Sequence, residues 1–218
     1  MFFGTHVRIG GLLHDWLLDT HACRLPRQAF LYGNVKPDLE RQGKVDRHLY
    51  ANARGWISER LELLAADAEA ADAVLEPERV GVLCGEICHH LSDACCRFHA
   101  EEPLYADFRA HFLYEMGLHR RLLALTREGK PQQWLGQGRF AKASPNVSEC
   151  QAAPIRVDNL LATVEQIRSA YASGMPSFDH DIRFALQACA QVLMMLAPVL
   201  RALQAGSGSS AVTWEEAI

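Results

Sequence analysis

The sequence predicts one all-α domain, a multi-helix bundle with a multinuclear metal site between its helices. Three observations carry this reading. Apolar residues recur at helical spacing through most of the 218 residues, and few alternating runs compete as strands. Proline, glycine and small polar residues fall where such helices should begin and end. Histidine and carboxylate stand four apart in two segments, CHHLSDACCRFH (88–99) and HFLYE (111–115). That spacing stacks two side chains on one helix face.

Residues 5–20 carry Val7, Ile9, Leu13, Trp16 and Leu17 at helical spacing, with Thr5 as the expected N-cap. FLYGNVKPDLERQGKVD, 30–46, contains Gly33, Asn34, Pro37 and Gly43 and reads as a loop. A helix rich in Ala, Leu and Glu is expected over 58–75, and another over 78–96 after Pro77. Pro103 suits the early part of a long helix that reaches Arg127, and Gly129 supplies its stop. Residues 130–154 read as a long structureless connection, a kind of segment that often carries function. Two more helices are expected over 156–173 and 180–203, with Asp179 as the N-cap of the last. The domain would then span 1–204, and 205–218, with its GSGSS stretch, would be a flexible tail.

Composition narrows the function classes. An apolar share of 49% and a charged share of 22% describe an ordinary globular domain. The net charge of −4 offers no basic face for duplex nucleic acid. There is no run of eighteen apolar residues, so no membrane span is expected, and MFFGTHVRIGGLLHDW lacks the pattern of a secretory leader. A cytoplasmic protein is the expectation. Seven cysteines, an odd number with four inside 84–96, predict buried free thiols rather than a disulfide framework.

On a helical wheel of 80–96, Val80, Leu83, Cys84, Ile87, Leu91, Ala94 and Cys95 form a core arc. His89, Asp93 and Cys96 fall on the opposite side, with Glu86 beside them. His89 is a better ligand than His90, which has only Ala94 at i+4. Taken alone, one such His–Asp pair is usually a solvated surface pair. A zinc site made from Cys88, Cys95 or Cys96 with His99 lacks the spacing of a known finger, and no C-x-x-C supports redox chemistry. The balance changes at His111 and Glu115, which repeat the arrangement on a second helix. His6 in THVRI, Asp38 in GNVKPD and His48 in DRHLY add further donors. Nitrogen and oxygen ligands gathered from several helices are how multinuclear centres in bundles are assembled.

In order, His6, GNVKPD with Asp38, His48, H-x3-D-x5-H (His89, Asp93, His99) and H-x3-E (His111, Glu115) resemble the zinc-dependent phospholipase C family over about residues 5–120. Fungal single-strand-specific nucleases share that fold and metal site. The resemblance implies two to three zinc ions. Asp38, His48, His89 and Asp93 would hold the first, and His99, His111 and Glu115 the second. Asp93 would bridge to a third, which His6 also binds. In the family that third ion also takes the amino group and carbonyl of an N-terminal tryptophan. This chain begins Met-Phe-Phe, which leaves the completion of the third site open.

The implied activity is phosphodiester hydrolysis by a metal-bridged water, with Asp38 as both ligand and proton acceptor. Substrates in range are a phospholipid, reached by peripheral membrane contact, or a small phosphoester. Phe2, Phe3, Tyr105, Trp134 and Phe140 are available for an apolar approach surface or for stacking bases. A single-strand nuclease-like activity, a small-molecule phosphodiesterase and a non-catalytic metal-binding protein of the same fold are the alternatives. An HD-type phosphohydrolase built on His14–Asp15 stands well behind, because it leaves GNVKPD and HFLYE unexplained. His119, at i+4 from Glu115, either orients that ligand or lies exposed beside Arg120 and Arg121, the second being favoured.

Overall fold

A computed structural model describes residues 1–21, 23–40, 49–69, 76–137 and 155–206. Among them there are eleven helices and no strand. In chain order these are α1 (Phe3–His21), α2 (Arg27–Gly33), α3 (Lys36–Leu39), α4 (Tyr50–Glu69), α5 (Pro77–Ala94) and α6 (Arg97–Ala100). They continue with α7 (Glu102–Ala106), α8 (Phe108–Arg127), α9 (Lys130–Gln137), α10 (Val157–Ala172) and α11 (Phe178–Gly206).

Helix α5 is the axis of the fold. It packs against α2, α4 and α11, with α1, α3 and α6 completing its surroundings. Every residue from Leu83 to Ala94 is buried. The wheel's two arcs are both present, but the polar arc faces an internal site rather than solvent. A helix covered on all sides is the mark of a central element. Helix α11 is the second core element. Its stretch Phe178–Arg201 is long and apolar enough by composition to cross a bilayer, yet 61% of an 18-residue apolar window within it is buried in the protein. Ile182, Leu186, Cys189, Leu193 and Leu196 are all inside the common core.

Several expected boundaries are corrected. Residues 30–39 are not a loop: α2 and α3 run through GNVKPD, and Pro37 occupies the first turn of α3. Gly33 is there for close packing. A Cβ at Gly33 would lie 2.2 Å from the Val82 carbonyl oxygen, and one at Gly85 would lie 2.4 Å from that of Phe30. The backbones of α2 and α5 therefore touch where only glycine fits. Thr5 does not cap α1, which begins at Phe3; its hydroxyl instead meets His119 Nδ1 at 3.2 Å.

The long helix expected from Pro103 is two. Pro103 opens α7, and Asp107 then caps α8 by accepting from the Ala110 amide at 3.0 Å. Gly129, at φ +67°, ends that segment. KPQQWLGQ, assigned to a structureless connection, forms α9, with Leu135 in the core; 138–154 lie outside the described residues. Ser177 rather than Asp179 caps α11, accepting from the His180 amide at 3.1 Å. Asp179 sits in the first turn and pairs with Arg121 at 2.5 and 2.7 Å. The described cysteines, 23, 84, 88, 95, 96 and 189, are free and buried. Burial pushes the Cys84 thiol up to about 12, as expected for an inert core cysteine.

Candidate metal centre

The close approach of α2 to α5 sets the first group of donors. Asn34, just after α2, is held with its carbonyl oxygen 2.9 Å from His89 Nδ1. A carbonyl only accepts, so Nδ1 carries the ring proton and Nε2 presents a lone pair. That lone pair faces Asp93 Oδ2 at 3.3 Å and Asp38 Oδ1 at 3.8 Å. From α1, the His6 ring stacks on His89 with centroids 4.0 Å apart, and its Nε2 lies 3.3 Å from Asp93 Oδ1. His6, His89 and Asp93 are all buried, and each offers a ligand atom within 4.8 Å of the others.

His99 on α6 and His111 and Glu115 on α8 form a second group under the same 4.8 Å limit. The two Nε2 atoms are 3.1 Å apart, and each is 2.8 Å from Glu115 Oε1. The groups share a wall, since His99 Nδ1 is 3.7 Å from Asp93 Oδ2. The Met1 amino group sits at that wall. It contacts Asp93 Oδ1 closely and lies 2.9 Å from His99 Nε2 and 3.2 Å from Glu115 Oε1.

The electrostatics follow from burying this many ionisable groups together. Burial, reinforced by His6, lowers His89 and keeps it neutral. Burial likewise takes His99 down to about 4. For Asp93, burial alone would raise the carboxyl, but His99, the Met1 amino group, His6 and His89 outweigh it and hold it well below the usual carboxylate range. Glu115 is lowered in the same way by Met1, His111 and His99 against the opposing effect of its burial. Burial opposes charge on the Met1 amine too, yet Asp93 and Glu115 prevail and bring it up to about 12.

Ionised carboxylates and neutral imidazole lone pairs thus converge without sulfur. The Met1 ammonium neutralises part of this charge at the shared wall, and a metal cation among the same donors would take over that role. Nitrogen and carboxylate-oxygen donors suit zinc, whose bonds of about 2.0–2.2 Å keep tetrahedral neighbours roughly 3.3 Å apart. The donor set fits the metal.

Of the eight residues singled out by sequence, six fall into these two groups. Asp38 stands at the edge of the first, and His48 lies outside the described residues. His14 belongs to neither group: its Nε2 donates to the Leu25 carbonyl at 3.1 Å, with Asp15 at 3.3 Å from Nδ1. His119 is neither exposed nor bonded to Glu115; it is half-buried against Thr5 and Phe2. The Met1 amine and the Asn34 carbonyl had no counterpart in the side-chain pattern, because both are main-chain groups.

The model of the zinc-dependent phospholipase C family matches residues 5–174. The chain belongs to the zinc-dependent phospholipase C family. The matched span contains His6 to Glu115, both donor groups and Asp38, and it ends before α11. No curated protein and no solved structure matches the chain. At the level of the family it is a zinc-dependent, phospholipase-like hydrolase.

Proposed function

We propose that this member of the phospholipase C family hydrolyses the phosphodiester bond of a phospholipid. Two to three zinc ions would be held by His6, Asp38, His48, His89, Asp93, His99, His111 and Glu115. The observation that carries the reading is the convergence of the two donor groups on one shared wall. Zinc bound there supplies a nucleophilic water near neutral pH and neutralises charge on the phosphate.

The chain's own residues divide the remaining work. His89 is oriented through Asn34, so its lone pair is committed before any ligand arrives. Asp38 is the acid–base candidate because it is the open carboxylate: its side chain is 24% exposed, against 0% for Asp93 and 13% for Glu115. A carboxylate at the rim can accept a proton from water and pass it to solvent.

One feature favours a lipid over a nucleic acid or a soluble ester. Phe108 and Phe112, one helical turn apart, are exposed on α8, on the stripe beside His111 and Glu115; Phe108 is 80% exposed. Tyr105 sits next to both histidines of the group, with centroids 5.5 Å from His99 and 5.1 Å from His111. An apolar rim on a donor-lined site suits a headgroup in the site and acyl chains beside it. The exposed charges of this segment are mostly acidic, Glu101, Glu102 and Asp107 against Arg109, which disfavours tracking a polyanion. Of the residues named earlier for such a surface, Phe2 is packed on His119, Trp134 packs on the core and Phe140 lies outside the described residues.

The test joins elemental analysis to turnover of phosphatidylcholine vesicles, wild type against Asp38→Asn. The expected result is at least two zinc equivalents, with turnover reduced by about 100-fold or more in the variant while its fold is kept. Zinc without turnover in the wild type would favour the non-catalytic metal-binding alternative. Turnover of single-stranded nucleic acid but not lipid would move the substrate assignment.

A further inference from the structure

Helix α6 is one turn long, yet it presents His99. A single turn does not hold itself, because nucleation is costly. Its N-cap residue Cys96 makes no side-chain cap bond. The first amide of the turn, Arg97 N–H, donates instead to Asp181 Oδ2, at 3.0 Å, from α11. The same oxygen accepts the Tyr114 hydroxyl at 2.9 Å, and Oδ1 accepts the Tyr171 hydroxyl of α10 at 2.8 Å.

Tyr114 lies on α8, next to Glu115 and three residues from His111. Its ring also packs on Phe98, the neighbour of His99, with centroids 4.7 Å apart. Phe98 in turn stacks on His111 at 5.6 Å. One fully buried carboxylate therefore bonds both segments that carry the second donor group, while giving no atom to it. Three donors satisfy that carboxylate, which makes its burial affordable and its geometry specific. Asp181 also lies beyond the residues matched by the family model, 5–174.

We propose that Asp181 is a positioning residue: through the Arg97 amide and the Tyr114 hydroxyl it sets the separation of His99, His111 and Glu115. The proposal rests on reading that group as a zinc site. The two tyrosines separate positioning from mere support. Each gives the same carboxylate one hydrogen bond, but only Tyr114 comes from an element that carries donors.

The experiment uses the full chain, stripped with a chelator and titrated with zinc, and with cobalt for its visible absorption. Wild type, Asp181→Asn, Tyr114→Phe and Tyr171→Phe are compared, with thermal unfolding of each metal-free protein. Tyr114→Phe should weaken one metal equivalent by about tenfold and change the cobalt spectrum. Asp181→Asn should do the same. Tyr171→Phe should lower the unfolding temperature by a similar amount and leave metal affinity unchanged. Should Asp181→Asn not fold, the tyrosine pair alone decides. Equal metal affinities in Tyr114→Phe and Tyr171→Phe, with the wild type binding zinc, would overturn positioning and leave the metal centre standing. A wild type that binds no zinc would overturn both.

Discussion

The two donor groups share a wall but are built differently. His6, His89 and Asp93 come from two long helices, α1 and α5, are completely buried, and are braced by a backbone carbonyl at the glycine-only contact of α2 and α5. His99, His111 and Glu115 come from one short turn and from α8, where the part-exposed His111 and Glu115 continue the stripe of buried Leu118 and Leu122. The first group owes its shape to the core, the second to hydrogen bonds reaching in from α11. A rigid, dry group beside a more open one is a sensible division for a hydrolase. Under the proposed function both would hold metal, the first group behind Asp38 at its rim and the second beside the exposed Phe108 and Phe112.

The sharpest break of this comparison is at the shared residue. Asp93→Ala removes the carboxylate facing His6, His89, His99 and Met1. It should empty both groups of zinc and cost about 3 kcal/mol, because the buried amine loses its nearest counter-charge and keeps only Glu115. His111→Ala should empty only the second group, at little cost to folding. Elemental analysis with thermal unfolding distinguishes the two; equal metal loss in both variants would contradict the division.

Next comes the brace. Gly85→Ala must push α2 away from α5, since its Cβ would meet the Phe30 carbonyl oxygen, the Asn34 amide and Gly33. A loss of about 1–3 kcal/mol is expected from overpacking. It should be accompanied by weaker zinc binding at the first group, because Asn34 moves with α2. Denaturant unfolding at fixed zinc checks both parts.

The smallest effect concerns α8 and α11 away from the site. Asp179 is lowered from its ordinary 3.8, chiefly by its hydrogen bond to Arg121. A lowered carboxylate adds stability that is present above that ordinary value and lost as pH falls through the lowered one. The side chain is 45% exposed, so solvent screening limits the contribution to under about 1 kcal/mol. Asp179→Asn should therefore unfold slightly earlier than wild type at pH 7. The difference should fade in acid, and zinc content should not change.

Much of the site was legible because metal ligands must be side chains of a few types, and helical spacing places them. His89 with Asp93 and His111 with Glu115 show as i,i+4 pairs without any structure. What stayed hidden has physical reasons. Glycine signals both turns and close contacts, so Gly33 read as a loop where it marks a helix crossing. Asn34 acts through its carbonyl, which every residue has. Asp181 meets Arg97 and Tyr114 across 84 and 67 residues, a pairing no local pattern contains. The wheel of α5 separated polar from apolar arcs, but it could not tell solvent from an interior site. Glu86 shows the same point: it is buried between Lys36 at 2.5 Å and Arg60 at 2.8 Å, tying α5 to α3 and α4.

The most direct test of the central claim is anomalous diffraction at the zinc absorption edge from crystals of the purified protein. The account predicts one peak among His6, His89 and Asp93 and another among His99, His111 and Glu115. Peaks on the cysteines of α5, or none at either group in protein grown with zinc, would contradict it.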